Sequence, residues 1–332
     1  MKIKSRIIKK AILFFSILLS IFLSVFFLGC QIFPKGNKIS PMQAEAFEIV
    51  NQCLSFNDAT VRVNAIEVVA ITEQRNFMPK VHNLLQDEYV PVRFAAALAV
   101  GDLQYLQAKD SVTRLLNDND INVVIAASYA MARLGFTEYI EVLRQTTTDT
   151  DPIIRANAAM LLGKVGDRYS LNLLHQMLLD PDDKVGYQAA EAIAVLGDES
   201  IYEKLWSMQI SSYADVRVMG TRAMGNLGTQ QAEDSLISML DDLVPEVRLA
   251  AAEQLGKLNN KSGESKVLEI LQKNLTLNMD LQSRERINML TALAIGHIRS
   301  PALIKYLPQL MKNESIFVRL AAAKAVFQCR IK

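Results

Sequence analysis

The chain has 332 residues, of which 50% are hydrophobic, and a formal net charge of +1 at pH 7. Five basic residues lie among the first ten, and without them the acidic side chains outnumber the basic ones, 35 to 31. Proteins that bind nucleic acid usually show the opposite balance, so we expect no nucleic-acid partner.

The segment 1–29 is typical of an export signal or a membrane anchor. Positions 1–10 are rich in lysine and arginine, and positions 11–29 form an apolar run without a charge. A Phe-Leu-Gly sequence then leads into Cys30. This segment resembles the lipobox of bacterial lipoproteins, in which the cysteine becomes the first mature residue and is acylated. The resemblance implies that Cys30 is a lipidation site.

An uncleaved membrane anchor is the alternative, because about 20 apolar residues span a bilayer. Both interpretations place the rest of the chain outside the cytoplasm, with the basic end inside. Residues 30–40, which contain Pro34 and Gly36, are expected to form a flexible tether. We therefore expect a protein of the bacterial cell envelope that is membrane-anchored and faces the periplasm or the exterior.

Residues 41–332 carry a pattern that repeats at a constant interval, the distance in sequence from Arg62 to Arg93. A short turn rich in Asp and Asn precedes an arginine, an Ala- and Leu-rich stretch with helical spacing follows it, and another apolar helix lies upstream of the turn. A fixed period of this kind indicates stacked helix–turn–helix units. The positions that fall at this interval are Arg62, Arg93, Val124, Arg155, Gly186, Arg217 and Arg248.

The pattern resembles the short HEAT repeats of phycobilisome lyases. The resemblance rests on Val61-Arg62, Val92-Arg93, Ile154-Arg155, Val216-Arg217, Val247-Arg248 and Val318-Arg319, each followed by an Ala-rich helix. It implies an all-α solenoid, a superhelix of about nine repeats, in which the arginines bond to the turns. Val124, Gly186 and Asn288 depart from this pattern.

The period slips once, between Arg248 and Asn288, which lie farther apart than the constant interval. Residues 275–283 are the predicted insertion. It is either a solvated loop without a role or a binding loop, because insertions in repeat proteins gather on one face. Arg319 then resumes the constant interval.

No group of residues in the sequence indicates a reaction, a cofactor or a metal site. Cys53 and Cys329 occupy core positions in the first and last repeats, which an extended stack would hold too far apart for a disulfide. His82 and His175 lie three repeats apart, so they cannot share a metal, and His297 stands alone. We therefore expect a protein that is not an enzyme.

The second helices of the repeats are expected to line the concave side of the solenoid. At the fifth and ninth positions after the arginine, repeats two to four offer an apolar row with basic neighbours. This arrangement suits a protein or peptide partner, although tight curvature would bury the row between helices. The candidate partner-binding residues are Leu98, Tyr129, Met160, Arg133 and Lys164.

The preferred hypothesis is a membrane-tethered, extracytoplasmic scaffold or adaptor that binds a protein partner on its concave face. One alternative is an enzyme or enzyme subunit similar to the phycobilin lyases, which only the repeat type favours. A further alternative is a passive spacer of the cell envelope, whose length is its function.

Overall fold

The computed structural model describes residues 40–329, and within this range the chain folds into helices joined by turns, without a strand. The predicted all-α solenoid is therefore confirmed. The predicted export segment and Cys30 lie outside the described residues. No described helix is long and apolar enough to cross a membrane.

The described helices follow one another as nine pairs. In chain order they are α1 Pro41–Cys53, α2 Ala59–Ile71, α3 Met78–Asn83, α4 Val90–Asp102, α5 Lys109–Leu115, α6 Ile121–Arg133, α7 Ile140–Gln145, α8 Pro152–Val165, α9 Leu171–Met177, α10 Asp183–Val195, α11 Tyr202–Gln209, α12 Ala214–Leu227, α13 Gln230–Met239, α14 Pro245–Lys257, α15 Glu264–Gln272, α16 Leu281–Ile298, α17 Pro301–Ile304, α18 Leu307–Met311 and α19 Ile316–Gln328. The ninth pair has a divided first helix, α17 and α18, because Pro308 removes a backbone donor and clashes with the preceding turn.

Acidic side chains start the second helices, as the turn sequences predict. The Asp58 carboxylate accepts hydrogen bonds from the backbone N–H groups of Thr60 and Val61 at the start of α2. Asp120, Asp151 and Asp182 cap later second helices in the same way. Such caps satisfy donors that a helix N-terminus otherwise leaves unpaired.

The repeat arginines join each turn to the next. Arg93 Nη1 donates to the carbonyl oxygens of Asp87 and Glu88 in its own turn, at 2.9 and 3.2 Å. Its Nε and Nη2 donate to the two carboxylate oxygens of Asp118 in the following turn, at 2.8 and 2.9 Å. A bidentate pair of this kind fixes orientation as well as distance. The same double contact pairs Arg62 with Asp87, Arg155 with Asp180 and Arg217 with Asp242.

Arg248 and Arg319 keep only the carbonyl half of this arrangement. For Arg248, the position that corresponds to the partner aspartate is occupied by Lys273, which cannot accept a hydrogen bond. At Gly186 an arginine has little room, since an added Cβ would lie 3.3 Å from the carbonyl oxygen of Leu178. The coupling between neighbouring turns is thus uneven around the stack.

Small residues let the second helices approach closely. A Cβ added at Gly163 in α8 would lie 2.8 Å from the Cα of Ala192 in α10, which is shorter than real Cβ contacts. Glycine is therefore required there by packing. Gly166, which ends α8 with a φ of 83°, is required by the left-handed conformation instead.

The last repeat packs against the first. Each second helix contacts the next from α2 to α19, and α19 also contacts α1 and α2. Lys324 Nζ of α19 lies 4.0 Å from a carboxylate oxygen of Glu67 in α2. The nine repeats therefore close into a ring, and the expectation that the solenoid ends lie far apart is wrong.

Cys53 and Cys329 are free thiols even though the ends meet. Cys53 lies near Arg319 at the start of α19, where burial raises the pKa of its thiol to about 11 against the opposing charge of Arg319. Cys329 caps the other end of α19, and ten helical residues span about 15 Å. The length of α19, not the length of the solenoid, keeps the two thiols apart.

The inserted residues near 275–283 divide between a loop and a helix. Turns occupy 273–278, and positions 281–283 belong to α16. This helix has 18 residues, more than any other second helix among the described residues. Leu275, Leu277 and Leu281 are exposed there.

Replacing Arg93 with lysine should lower the free energy of unfolding by about 1–2 kcal/mol, because lysine cannot hold both carboxylate oxygens of Asp118. Urea or thermal unfolding of the purified protein measures the change. Arg248→Lys is the matched control, since Arg248 bonds only to carbonyl oxygens, and it should cost clearly less. Equal losses would show that the Arg–Asp pairs do not couple the repeats.

Spin labels introduced at Gln52 in α1 and Lys312 before α19 should report the short separation of neighbouring helices, because the ring brings these elements together. A control pair at Gln52 and Asp183, in repeats one and five, should lie clearly farther apart. Pulsed electron paramagnetic resonance measures both separations. An open superhelix would give the larger distance for the first pair.

Candidate functional site

The inner wall of the ring is formed by side chains at the fifth and ninth positions after each repeat arginine. Lys164 Nζ of α8 lies 2.5 and 2.6 Å from the carboxylate oxygens of Asp102 in α4, two repeats away. Side chains two repeats apart converge only on a concave surface. This contact and the Lys324–Glu67 pair place both positions on the inner side.

One polar cluster on this wall contains Asp102, Tyr129 and Lys164. The Tyr129 hydroxyl donates a 2.5 Å hydrogen bond to Asp102, and Lys164 Nζ lies 5.5 Å from the centre of the Tyr129 ring. Burial and the negative charge of Asp102 raise the pKa of Tyr129 above its ordinary value. Tyr129 therefore stays a neutral donor that orients Asp102 toward Lys164.

The structure corrects the predicted apolar row. Tyr129 is only 1% exposed, and Leu98 and Met160 are half-buried against the core. The inner curvature packs these three fifth-position side chains between neighbouring second helices, so Tyr129 is not available to a partner. Lys164 remains exposed and Arg133 is half-buried beside the row.

A second cluster surrounds His297 on α16. Gln328 lies 3.1 Å from His297 Nε2, and a carboxylate oxygen of Glu253 lies 4.0 Å from the same nitrogen. Burial lowers the pKa of His297 to about 4, assisted by the positive charges of Lys324 and Lys257. At neutral pH the ring is uncharged. His297 is a hydrogen-bonding part of the inner wall, a role that its position in the sequence did not indicate.

Lys257 adds a solvent-accessible cation to this cluster. Its Nζ donates a 2.8 Å hydrogen bond to Asn226. Desolvation by the surrounding protein lowers the pKa of Lys257, and the negative charges of Glu253 and Glu191 partly offset this effect. Arg222 contacts Glu253 from the adjacent repeat at 3.8 Å. Both signs of charge thus alternate on the wall, which suits hydrogen bonds and ion pairs with a polypeptide.

On the outer side of the ring, side chains at one equivalent position of the first helices contact the following repeat. His82 contacts Ser111, His175 contacts Asp198, and Arg144 contacts Asp167. These partners account for both outer histidines. Between 40 and 329 no group of three or more His, Cys, Asp or Glu side chains could hold a metal ion.

An open cavity of about 650 Å³ lies beside Arg144, where Tyr169 and Arg168 form part of its lining. The repeat pattern carries no signal for this cavity, because it arises where the loops before α7 and α9 meet. Its charged groups Arg144 and Asp167 satisfy each other, and Ser170 also donates to Asp167. The cavity therefore offers a surface depression and no convergent set of free polar groups.

Comparison with known proteins supports the fold. The family model of HEAT repeats matches residues 78–155, 140–217 and 203–285. No curated protein sequence matches the chain. Among solved structures, human deoxyhypusine hydroxylase in complex with glycerol shares 19% identity over 78% of this chain and 97% of its own, with a TM-score of 0.39.

The complex of CpcE and CpcF of phycocyanin lyase from Nostoc sp. shares 18% identity over 68% of this chain and 93% of its own, with a TM-score of 0.46. The expectation that the chain is not an enzyme, which was drawn from the absence of a catalytic motif, is contradicted. Proteins of similar fold include these two named enzymes, so the fold is compatible with either role. The matched segments together cover 78–285, more than half of the sequence, and the chain belongs to the HEAT-repeat family.

Proposed function

We propose that the protein is a membrane-tethered, extracytoplasmic scaffold or adaptor of a bacterial cell envelope. It holds a segment of a protein partner against the concave face of its repeats. The observation that carries the proposal is the closure of the solenoid, which turns this face into the wall of a lumen.

The dimensions of the ring limit what can enter. Nine helix axes about 9 Å apart form a circle of roughly 26 Å, and helices about 10 Å thick leave a lumen of about 15 Å. An extended chain or a single helix fits this width, whereas a folded domain does not. The partner is therefore a peptide-like segment, such as a terminus or a long loop.

The side chains that reach the lumen suit such a segment. Glu67 and Lys164 supply opposite charges, and Ile71 and Val195 are exposed apolar groups, 48% and 47% accessible, at the ninth position of their repeats. Mixed charge with apolar contacts is typical of peptide recognition that combines orientation with burial.

A ring is less suited to the role of passive spacer. The span of an open solenoid grows with each repeat, whereas a closed ring has a fixed diameter and no free end. The closure thus favours the scaffold over the spacer. In this proposal the tether predicted at 30–40 supplies the reach between the membrane and the repeats that begin at Pro41.

Mass spectrometry of the protein purified from bacterial membranes should find a mature N-terminus at Cys30 that carries a diacylglyceryl group. The Cys30→Ala variant should keep the segment 1–29, because the lipid attachment that precedes cleavage is lost. An unmodified wild-type chain that retains this segment would contradict the lipoprotein and indicate a single-span anchor.

Photo-crosslinking residues placed at Ile71 and Val195 should give a discrete adduct with one protein in intact cells, because both side chains face the lumen. The same probe at Ile237, which is 41% exposed on the first helix α13, is the control and should give none. Lys164→Glu should reduce the lumen adduct at least several-fold by reversing an exposed wall charge. Equal crosslinking from Ile237 would place the partner elsewhere.

A further inference from the structure

The turns between the first and second helices form one continuous edge of the ring, here called the turn rim. Direct bonds join neighbouring turns: Arg62 to Asp87, Arg93 to Asp118, Arg155 to Asp180 and Arg217 to Asp242. Arg286 and Glu246, 3.7 Å apart, continue the edge into repeat eight, and Arg284 and Glu314 into repeat nine. A side chain on any of these turns therefore belongs to one shared surface.

The turn rim exposes a large apolar or aromatic side chain in every one of the first seven repeats. Leu243 is 94% accessible, Leu179 is 87% and Tyr213 is 70%, so they contribute nothing to the core. Scattered exposed apolar residues are ordinary, but a row that recurs once per repeat along one edge indicates contact with a partner. The members of the row are Phe56, Tyr89, Ile121, Ile153, Leu179, Ile210, Tyr213 and Leu243.

The same turns carry an excess of negative charge. The repeat arginines neutralise the aspartates that they hold, yet further acidic side chains in repeats one to six form no ion pair among residues 40–329. These are Asp58, Glu88, Asp120, Asp149, Asp151, Asp182, Asp183 and Asp215. Within that range, Lys184 is the one basic side chain on these turns besides the repeat arginines. Much of this charge is explained by helix capping, but Glu88 and Asp183 are exposed and cap no helix with their side chains.

The opposite edge of the ring, formed by the loops that lead from each second helix to the next first helix, differs in its charge. Exposed Leu106 and Tyr169 lie there beside cations such as Arg75, Lys109 and Arg168 and acids such as Glu73 and Glu138. Charges of both signs therefore mix on that edge. The combination of an apolar side chain in each turn with acids that form no ion pair is a property of the turn rim.

We propose that the turn rim is a docking surface for a basic, amphipathic segment of a partner protein. Lysine and arginine side chains of the segment would pair with the rim carboxylates that form no ion pair, above all Glu88 and Asp183, while its apolar side chains would cover the exposed row. Charge complementarity of this kind selects the partner and speeds its association. A second copy of the chain is disfavoured, because two turn rims would bring like charges together, and an anionic lipid surface is disfavoured for the same reason.

This surface is separate from the lumen wall, so the inference does not depend on the proposed function. The lumen would take a segment of mixed charge, whereas the turn rim takes a basic one. Tyr213→Ser with Leu243→Ser, which changes the rim and not the wall, distinguishes the two surfaces.

Fluorescence anisotropy on the full-length protein in neutral detergent tests the proposal with three synthetic peptides of equal length. One is an amphipathic helix of lysine and leucine, the second replaces its leucines with serine, and the third replaces its lysines with glutamate. The lysine–leucine peptide should bind at least tenfold more tightly than either of the others, and added salt should weaken it.

Two sets of variants locate the binding. Glu88→Lys combined with Asp183→Lys and Asp215→Lys should weaken the lysine–leucine peptide at least tenfold, and Tyr213→Ser with Leu243→Ser should do so severalfold. The matched control, Leu106→Ser with Tyr169→Ser on the opposite edge, should stay within twofold. Because every changed side chain is exposed, circular dichroism should show unchanged folding.

Unchanged peptide affinity in both rim variants would overturn the proposal, as would an equal loss in the opposite-edge control. Equal binding of the lysine–serine peptide would also overturn it, since it would show attraction to net charge without use of the apolar row. If the charge variant folds poorly, the Tyr213 and Leu243 pair still decides the outcome, because neither side chain caps a helix or forms an ion pair.

Discussion

The structure depends on the bidentate contact between a repeat arginine and the aspartate of the next turn. Each such arginine also holds two carbonyl oxygens of its own turn, so one guanidinium fixes two successive repeats in a defined orientation. Repeat proteins are stabilised by contacts between neighbours, and a constant rotation at each contact determines their curvature. In this chain the accumulated rotation brings the ninth repeat back to the first.

The sequence indicated the repeats because their period, capping residues and small packing residues are local features. Asp58, for example, caps α2 from the Asp- and Asn-rich turn that the repeat pattern identified. The closure could not be predicted in this way, since a few degrees of rotation per repeat separate a ring from an open superhelix. The aspartate partners carried a usable signal that was missed, because each follows its repeat arginine at one unchanging spacing. They are Asp87, Asp118, Asp180 and Asp242.

The inner wall likewise combines features that the sequence predicts with features that depend on the closed ring. Helical spacing correctly assigned the fifth and ninth positions to the concave side, as the Lys164–Asp102 contact demonstrates. Whether a side chain there is exposed depends on the radius of the ring, which no single repeat encodes. Tyr129 became buried and bonded to Asp102, and His297 acquired polar neighbours, because adjacent helices converge toward the centre. The HEAT-repeat family therefore accounts for the helical framework, whereas the contacts of these particular side chains depend on the closed ring.

Closure also affects how the chain reaches its final state. An open solenoid needs polar terminal repeats to cover its two ends, whereas here α1 and α19 cover each other. These helices are separated in sequence by almost the whole repeat region, so their contact forms only after the last repeat has been synthesised. Until then both apolar end faces are uncovered, and a chain that folds from its N-terminus first stays prone to aggregation. A chain truncated before α19 would keep both apolar end faces uncovered and would stay prone to aggregation. The final helix is therefore the element that completes the fold.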